Sequence, residues 1–201
     1  MRQGTKTRWE QFYKEDERVK SAPATHCARN AAEVFSERGK LVILDLACGT
    51  GRDSSYLVEQ GLFVVGLDLT ESGLTIAKRV RKNEAKWVQA DARELPFGNA
   101  SFEGVYCFGL LHEFTGEGRE DNVRGVMSEI HRVLKSLGVL ILAVLAGEPE
   151  KGLPQVNLFT EGHFDSVTQG FQAVAKREYK DIGCTGKEDY RVWSGVFQKQ
   201  K

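Results

Sequence analysis

Short runs of consecutive apolar residues recur along the chain. Residues 41–46 (LVILDL), 62–69 (LFVVGLDL), 102–109 (FEGVYCFG) and 138–146 (GVLILAVLA) are such runs, the last the strongest, and 86–90 (KWVQA) is a weaker one with polar residues in it. Strands covered on both faces of a parallel sheet read this way, because neither face meets water. Between the runs the apolar spacing changes to three and four. Val123, Val126, Met127, Ile130, Val133 and Leu134 mark one face of a helix. Its expected stop is Ser136-Leu137-Gly138, with Lys135 in the last turn. Leu74, Ala77 and Val80 predict a shorter helix, with Thr70 or Ser72 as its cap, and residues 52–60 predict another. Residues 1–40 read as helical, with Phe12, Val19, Ala31, Ala32, Val34 and Phe35 as apolar contacts. Two late stretches, 171–181 (FQAVAKREYKD) and 188–199 (EDYRVWSGVFQK), alternate in part with no helix between them, which predicts an antiparallel pair.

This rhythm predicts an α/β fold: a doubly wound, mostly parallel sheet between two helical layers. At 201 residues the chain suits one domain with a substantial core. Lys+Arg and Asp+Glu are both 28, so no global field draws it to nucleic acid or an anionic membrane. The ends are mildly basic, with nine basic and six acidic side chains in residues 1–40. Nucleic acid is therefore not the expected partner. Cys27, Cys48, Cys107 and Cys184 form no CxxC and no metal set with a histidine, which suits reduced thiols. The N-terminus has no apolar leader, and the longest apolar run, residues 139–146, is far short of a membrane span. A cytoplasmic protein without a membrane partner is the expectation. The sequence carries no signal for oligomeric state.

The chemistry concentrates in Leu44-Asp45-Leu46-Ala47-Cys48-Gly49-Thr50-Gly51-Arg52-Asp53. A buried strand enters a glycine turn that opens a helix. Glycine lets the backbone turn tightly and approach a ligand, and the helix start behind it offers unpaired N–H groups. In open α/β sheets this rim is where ligands bind. Asp68, at the end of the next run, suits the two hydroxyls of a ribose. Asp91, after the third run, lies on the same rim. Its carboxylate is a pure acceptor and suits an exocyclic amine such as adenine N6.

LDLACGTGRDS, GLDLT, QADARELPF, FEGVYCFGLLHEF and EIHRVLKSLGVLIL resemble, in order and spacing, the successive motifs of class I S-adenosylmethionine-dependent methyltransferases. The resemblance covers roughly residues 40–146 and implies S-adenosyl-L-methionine as cofactor. It implies a Rossmann-like, seven-stranded, three-layer α/β/α sandwich with an antiparallel terminal strand. Residues 1–40 would be a helical lid, 41–146 the cofactor-binding core, and 147–201 a C-terminal helix and strand pair. Gly49 and Gly51, with Ala47 beside them, would cradle the methionine part, and Asp45 would hold its amino group. Asp68 would bind the ribose. Asp91 would take adenine N6, with the Ala92 N–H at N1 and Leu69 packed on the ring. Phe108 would line the methionine side. Ala47 replaces the usual first glycine of the loop, and Ser136-Leu137 the usual Pro-Gly before Gly138.

The remaining candidates keep more than one reading. His112 follows the fourth run, where the family places substrate-facing residues. It would act as a general base, orient a nucleophile, or be a hydrogen-bonded rim histidine. Glu113 reads as the start of the next turn. Trp9, Phe12 and Tyr13 share helical spacing; they suit packing, or a lid whose Tyr13 ring faces the sulfonium. Residues 115–122 and 147–157 are polar and lie on the expected substrate side. A nicotinamide-binding loop is disfavoured, because Ser54 stands where its third glycine belongs. The Asn/Asp-Pro-Pro-aromatic motif of amino-group methylation is replaced by Cys107-Phe108-Gly109-Leu110. The function expected is methyl transfer to a small molecule. The alternatives are a protein or RNA methyltransferase and a non-catalytic module that binds S-adenosylmethionine.

Overall fold

The computed structural model describes residues 3–39, 41–81, 85–148, 156–183, 186 and 189–201. Cys184 and residues 149–155 of the expected substrate-side loop lie outside the described residues. The strands are β1 (Val42–Leu46), β2 (Phe63–Asp68), β3 (Lys86–Gln89), β4 (Phe102–Phe108), β5 (Leu134–Leu145), β6 (Gln172–Ile182) and β7 (Asp189–Gln198). The helices are α1 (Gln3–Glu15), α2 (His26–Ser36), α3 (Arg52–Glu59), α4 (Glu71–Val80), α5 (Arg119–Val133) and α6 (Glu161–Val167). One seven-stranded sheet runs in the order β3-β2-β1-β4-β5-β7-β6. β3, β2, β1, β4 and β5 pair in parallel, and β7 is antiparallel to both neighbours. The sheet order reverses between β1 and β4, so the turns after these two strands diverge and leave a crevice.

Alternate residues of each strand feed two cores. Leu44, Leu46, Val105, Cys107, Leu140 and Leu142 meet α5 through Val126, Ile130 and Val133. Ile43, Tyr106 and Ile141 face the other way, toward Ala28, Ala31 and Phe35 of α2 and Leu57 of α3. The period of two in strands and near four in helices sets this division. Each fully buried large aliphatic side chain contributes about 1.5–3 kcal/mol. Ile130→Asp would place an uncompensated charge in the first core and break it. Gly104 allows α2 to come close: a Cβ there would lie 2.6 Å from Phe35 and from Ile43.

The expected lid divides into two parts. α2 is a core helix, with Cys27, Ala28, Ala31, Ala32 and Phe35 buried. Its first turn is held by Thr25 and by Asp181 of β6, which accepts from His26 N and Cys27 N at 2.8 Å. Among the described residues of 1–40, α1 and the turn after it lie over the rim.

The helix stop also differs from expectation. α5 ends at Val133, and β5 begins at Leu134. Leu134 satisfies both patterns, but it pairs with Phe102 and is fully buried. The carbonyls of Arg132 and Val133 accept from Ala100 N (2.9 Å) and Ser101 N (2.7 Å), so the approach of β4 terminates the helix. Gly138 then sits where the pairing of β5 with β4 shifts register, and a Cβ there would lie 2.8 Å from the Lys135 carbonyl oxygen. Among the described residues no helix is long and apolar enough to cross a membrane.

Candidate functional site

The loop from β1 to α3 has three residues in the left-handed region: Ala47 (φ 66°), Gly49 (φ 53°) and Gly51 (φ 71°). Alanine pays a steric cost there that glycine does not. The loop is fastened to β2: Ala47 N and Cys48 N donate to the Leu67 carbonyl at 2.8 and 3.0 Å. Gly49 N donates to Asp68 Oδ2 at 2.8 Å. Asp68 Oδ1 accepts from Thr70 N at 2.8 Å and Thr70 Oγ1 at 2.6 Å. Burial raises the Asp68 carboxyl above its ordinary value, against the pull of these donors. A carboxylate oxygen accepts about two hydrogen bonds, so Oδ2 retains capacity for another donor.

Thr70 thus spends its hydroxyl on Asp68 and does not cap α4, and Ser72 does not cap it either. The first N–H groups of α4 go instead to Glu10 of α1, at 2.7 Å from Glu71 N and 3.0 Å from Ser72 N. No local pattern reveals a cap that comes from another helix.

Asp45 ends β1 under the loop. Its Oδ2 accepts from Ser54 Oγ at 2.5 Å. Burial pushes its carboxyl up to about 8; Ser54 opposes the shift, and Asp53 and Asp68 add to it. Asp53 accepts from Thr25 N, Thr25 Oγ1 and Tyr106 Oη, each at 2.9 Å. Asp91 is half-buried and held below its ordinary value by the Arg93 guanidinium, which donates to both of its oxygens.

α1 closes the rim from above. Tyr13 lies on the glycine loop: a Cβ at Gly49 would be 2.6 Å from its hydroxyl, and one at Gly73 would be 3.1 Å from its ring. Trp9 packs edge-on against Phe12 and tilted against Tyr13. The other anchor is Glu113, in the short turn Leu111–Glu113 after β4. Its Oε2 accepts from Trp9 Nε1 at 3.0 Å and pairs with Arg8. Burial raises the Glu113 carboxyl; Trp9 and Arg8 pull the other way. In the same turn, His112 Nδ1 accepts from Leu145 N at 3.2 Å. An accepting Nδ1 leaves the ring proton on Nε2. Burial, with Arg8 nearby, holds the ring neutral down to about 3.

These groups surround one cavity of about 380 Å³, within the range of small-molecule sites. Tyr13, Asp45, Ala47, Gly49, Asp68, Leu69, Asp91, Ala92, Phe108 and His112 all line it. Gly51, expected beside them, is not among the lining residues. Its Cβ position points at Trp87, 2.3 Å away, and at Ala77, so it is a packing glycine. Arg8, Trp9, Glu113, Leu145, Tyr190 and Val192 also line the cavity. The sequence reading missed Arg8 and Glu113 as site residues. The one signal for Arg8 is its place beside Trp9 on an aromatic helix face; Glu113 gave none, because its partners are over a hundred residues away.

A family model described as "Methyltransferase domain" matches residues 44–142. The chain is 39% identical over 103 residues to the uncharacterized methyltransferase sll0829 of Synechocystis, covering 51% of this chain and 46% of that one. The chain spans about half the length of the curated relatives it matches. The chain solved for "Conversion of a Disulfide Bond into a Thioacetal Group during Echinomycin Biosynthesis" superposes with TM-score 0.74 at 21% identity, covering 97% of this chain and 92% of the other. The 1,6-didemethyltoxoflavin-N1-methyltransferase of Burkholderia thailandensis, solved with S-adenosylhomocysteine, superposes with TM-score 0.66 at 22% identity, covering 88% and 79%. The fold and the domain match agree: the chain carries a methyltransferase domain over residues 44–142 and is similar to the class I S-adenosylmethionine-dependent methyltransferases.

Proposed function

We propose that this chain binds S-adenosylmethionine along the rim and transfers its methyl group to a small-molecule acceptor. The observation that carries the proposal is the sequence of groups along one cavity. In sheet order they are Asp91 and Ala92 after β3, Asp68 and Leu69 at β2, Asp45 to Gly49 at β1, and Phe108 at β4. That order matches the chemistry of the ligand from end to end. Asp91 would accept from adenine N6 and the Ala92 N–H would donate to N1, with Leu69 on the ring face. Asp68 would accept from one ribose hydroxyl through Oδ2, the oxygen with capacity left. Asp45 would take the ammonium, and Gly49, bare of a side chain beneath Tyr13, would leave room for the methionine chain. Tyr13 would offer its ring to the sulfonium.

When bound, the sulfonium supplies an activated methyl group whose leaving group departs neutral. The protein's share is alignment and exclusion of water. α1 provides both by closing over the loop. The closed lid and the modest volume favour a small acceptor. The Burkholderia relative, whose name gives a small heterocycle as its substrate, supports that reading.

Calorimetric titration with S-adenosylhomocysteine is expected to give micromolar-range affinity. Asp68→Ala should weaken it about tenfold or more without unfolding the protein. Binding of NAD but of neither sulfur nucleoside would overturn the proposal.

A further inference from the structure

Beyond β1 the cavity continues past β4 to β5 and β7, away from the groups assigned to the nucleoside. Its walls there are Trp9, Phe108, Leu145, Tyr190 and Val192, which are flat or apolar. Arg52, whose guanidinium lies 6.0 Å from the Phe108 ring, Arg8, and the pair His112 and Glu113 are polar groups among them. His112 Nε2 and Glu113 Oε1 lie 3.9 Å apart. Nδ1 of that histidine is engaged with Leu145 N, and Oε2 of that glutamate with Arg8 and Trp9. The atoms left facing each other are therefore one donor and one acceptor. An atom about 2.8 Å from both fits this gap.

We infer that His112 and Glu113 select and activate the acceptor: a flat, apolar molecule whose neutral hydroxyl or thiol accepts from His112 Nε2–H and donates to Glu113 Oε1. The inference rests on the methyltransferase reading of the same cavity. A hydroxyl or thiol is at once a donor and an acceptor, which is what the pair requires. An ammonium group would satisfy Glu113 but meet the His112 N–H head on. A carboxylate would satisfy His112 but be repelled by Glu113. The pair thus discriminates against both charges.

The step balances as follows. The acceptor O–H or S–H bond breaks and its proton passes to Glu113, while oxygen or sulfur forms the new bond to the methyl carbon. The carbon–sulfonium bond breaks with its pair staying on sulfur, which leaves a neutral thioether. Glu113 is the base, and its burial supports that role by raising its proton affinity. His112 is a neutral donor that holds the nucleophile. Glu113 is faced by Arg8 and Trp9 from α1 and by His112 from its own turn; Lys6 and Asp45 line the same cavity.

Two measurements test this on the protein saturated with S-adenosylhomocysteine. The first compares four probes on one ring: 2-naphthol, 2-naphthylmethanethiol, 2-naphthoate and 2-naphthylmethylammonium. The hydroxyl and thiol should bind at least tenfold tighter than either ion and shift the His112 Nε2–H resonance in ¹⁵N-histidine spectra. Equal binding of an ion, or no binding of the neutral pair, overturns the inference. The second compares variants. Glu113→Gln should keep S-adenosylhomocysteine affinity within about threefold, yet lower methylation of 2-naphthol by about 10²–10⁴, with kcat falling more than KM rises. Glu10→Gln loosens the same lid at its tie to α4, off the cavity wall, and leaves the Glu113 carboxylate and its partners in place, so it should retain most of kcat. An equal loss in both variants makes Glu113 a lid anchor only and overturns its role as base. Loss of S-adenosylhomocysteine binding by the unaltered protein would instead overturn the methyltransferase reading itself.

Discussion

Asp45 stands in the least water-like environment of the site acids, and that has a measurable cost. An unfolded aspartate titrates near its ordinary value; in the fold burial raises it to about 8. The folded state therefore holds a proton that the unfolded state has lost between these two values. The stability contributed by the protonated form is complete below pH 4 or so and is lost as pH rises through about 8. Thermal melts of the ligand-free protein should show Asp45→Asn gaining on the unaltered protein as pH rises from 5 to 8. An unchanged difference across that range would show that the carboxyl is ionised throughout. His112 makes the opposite contribution. It stays neutral down to about 3, so protonation of the unfolded chain erodes stability as pH falls from near 6.5 toward 3. Gly51 supplies a third residue-level expectation. At φ 71° and against Trp87, Gly51→Ala should cost about 1–3 kcal/mol in denaturant melts. The folded fraction should keep its affinity for S-adenosylhomocysteine, because this glycine is not on the cavity wall. A selective loss of affinity would return it to the ligand.

At the scale of elements, α1 is tied down at separate points: Glu10 on the start of α4, Tyr13 on the glycine loop, and Arg8 with Trp9 on Glu113. Only the first is a helix cap, and it crosses between helices. Glu10→Ala leaves the N–H groups of Glu71 and Ser72 without their acceptor and should cost about 1 kcal/mol. Because that contact also holds the lid, hydrogen exchange in residues 3–15 should speed up along with that of residues 71–74. Faster exchange in α4 alone would mean that the lid does not depend on this tie. The junction of α5 and β5 follows a similar logic. The helix stops where Ala100 N and Ser101 N, just ahead of β4, take its last carbonyls, and Gly138 permits the close approach that follows.

For the whole molecule, the site depends on strand order more than on any single loop. β1 and β4 are neighbours in the sheet, though α3, β2, α4 and β3 separate them in the chain. That crossover opens the crevice and places Asp45, Asp68 and Asp91 on one side of it and the His112–Glu113 turn on the other. A ligand spanning the rim binds the folded state alone. Saturation at a hundred times its dissociation constant should then add about 2.7 kcal/mol to stability. S-adenosylhomocysteine should accordingly raise the melting temperature by several degrees, and the gain should shrink in Asp68→Ala. No shift at saturation would mean that the rim does not hold the nucleoside.

The chain's own pattern determined the alternation of strands and helices, the doubly wound class, and the acids Asp45, Asp68 and Asp91. Each depends on neighbours within a turn or a strand end, where periodicity and glycine chemistry are local. Tertiary structure decided the rest. It ended α5 at Val133, because the competing partner of that backbone is the segment just ahead of β4. It assigned Gly51 to Trp87, capped α4 with Glu10, and set Glu113 against Arg8 and Trp9. It also fixed the proton of His112 on Nε2, through a backbone N–H that β5 supplies. Hydrogen bonds and close packing are satisfied by whatever the fold brings near, and a carboxylate or imidazole carries no mark in the sequence of which distant donor it will meet.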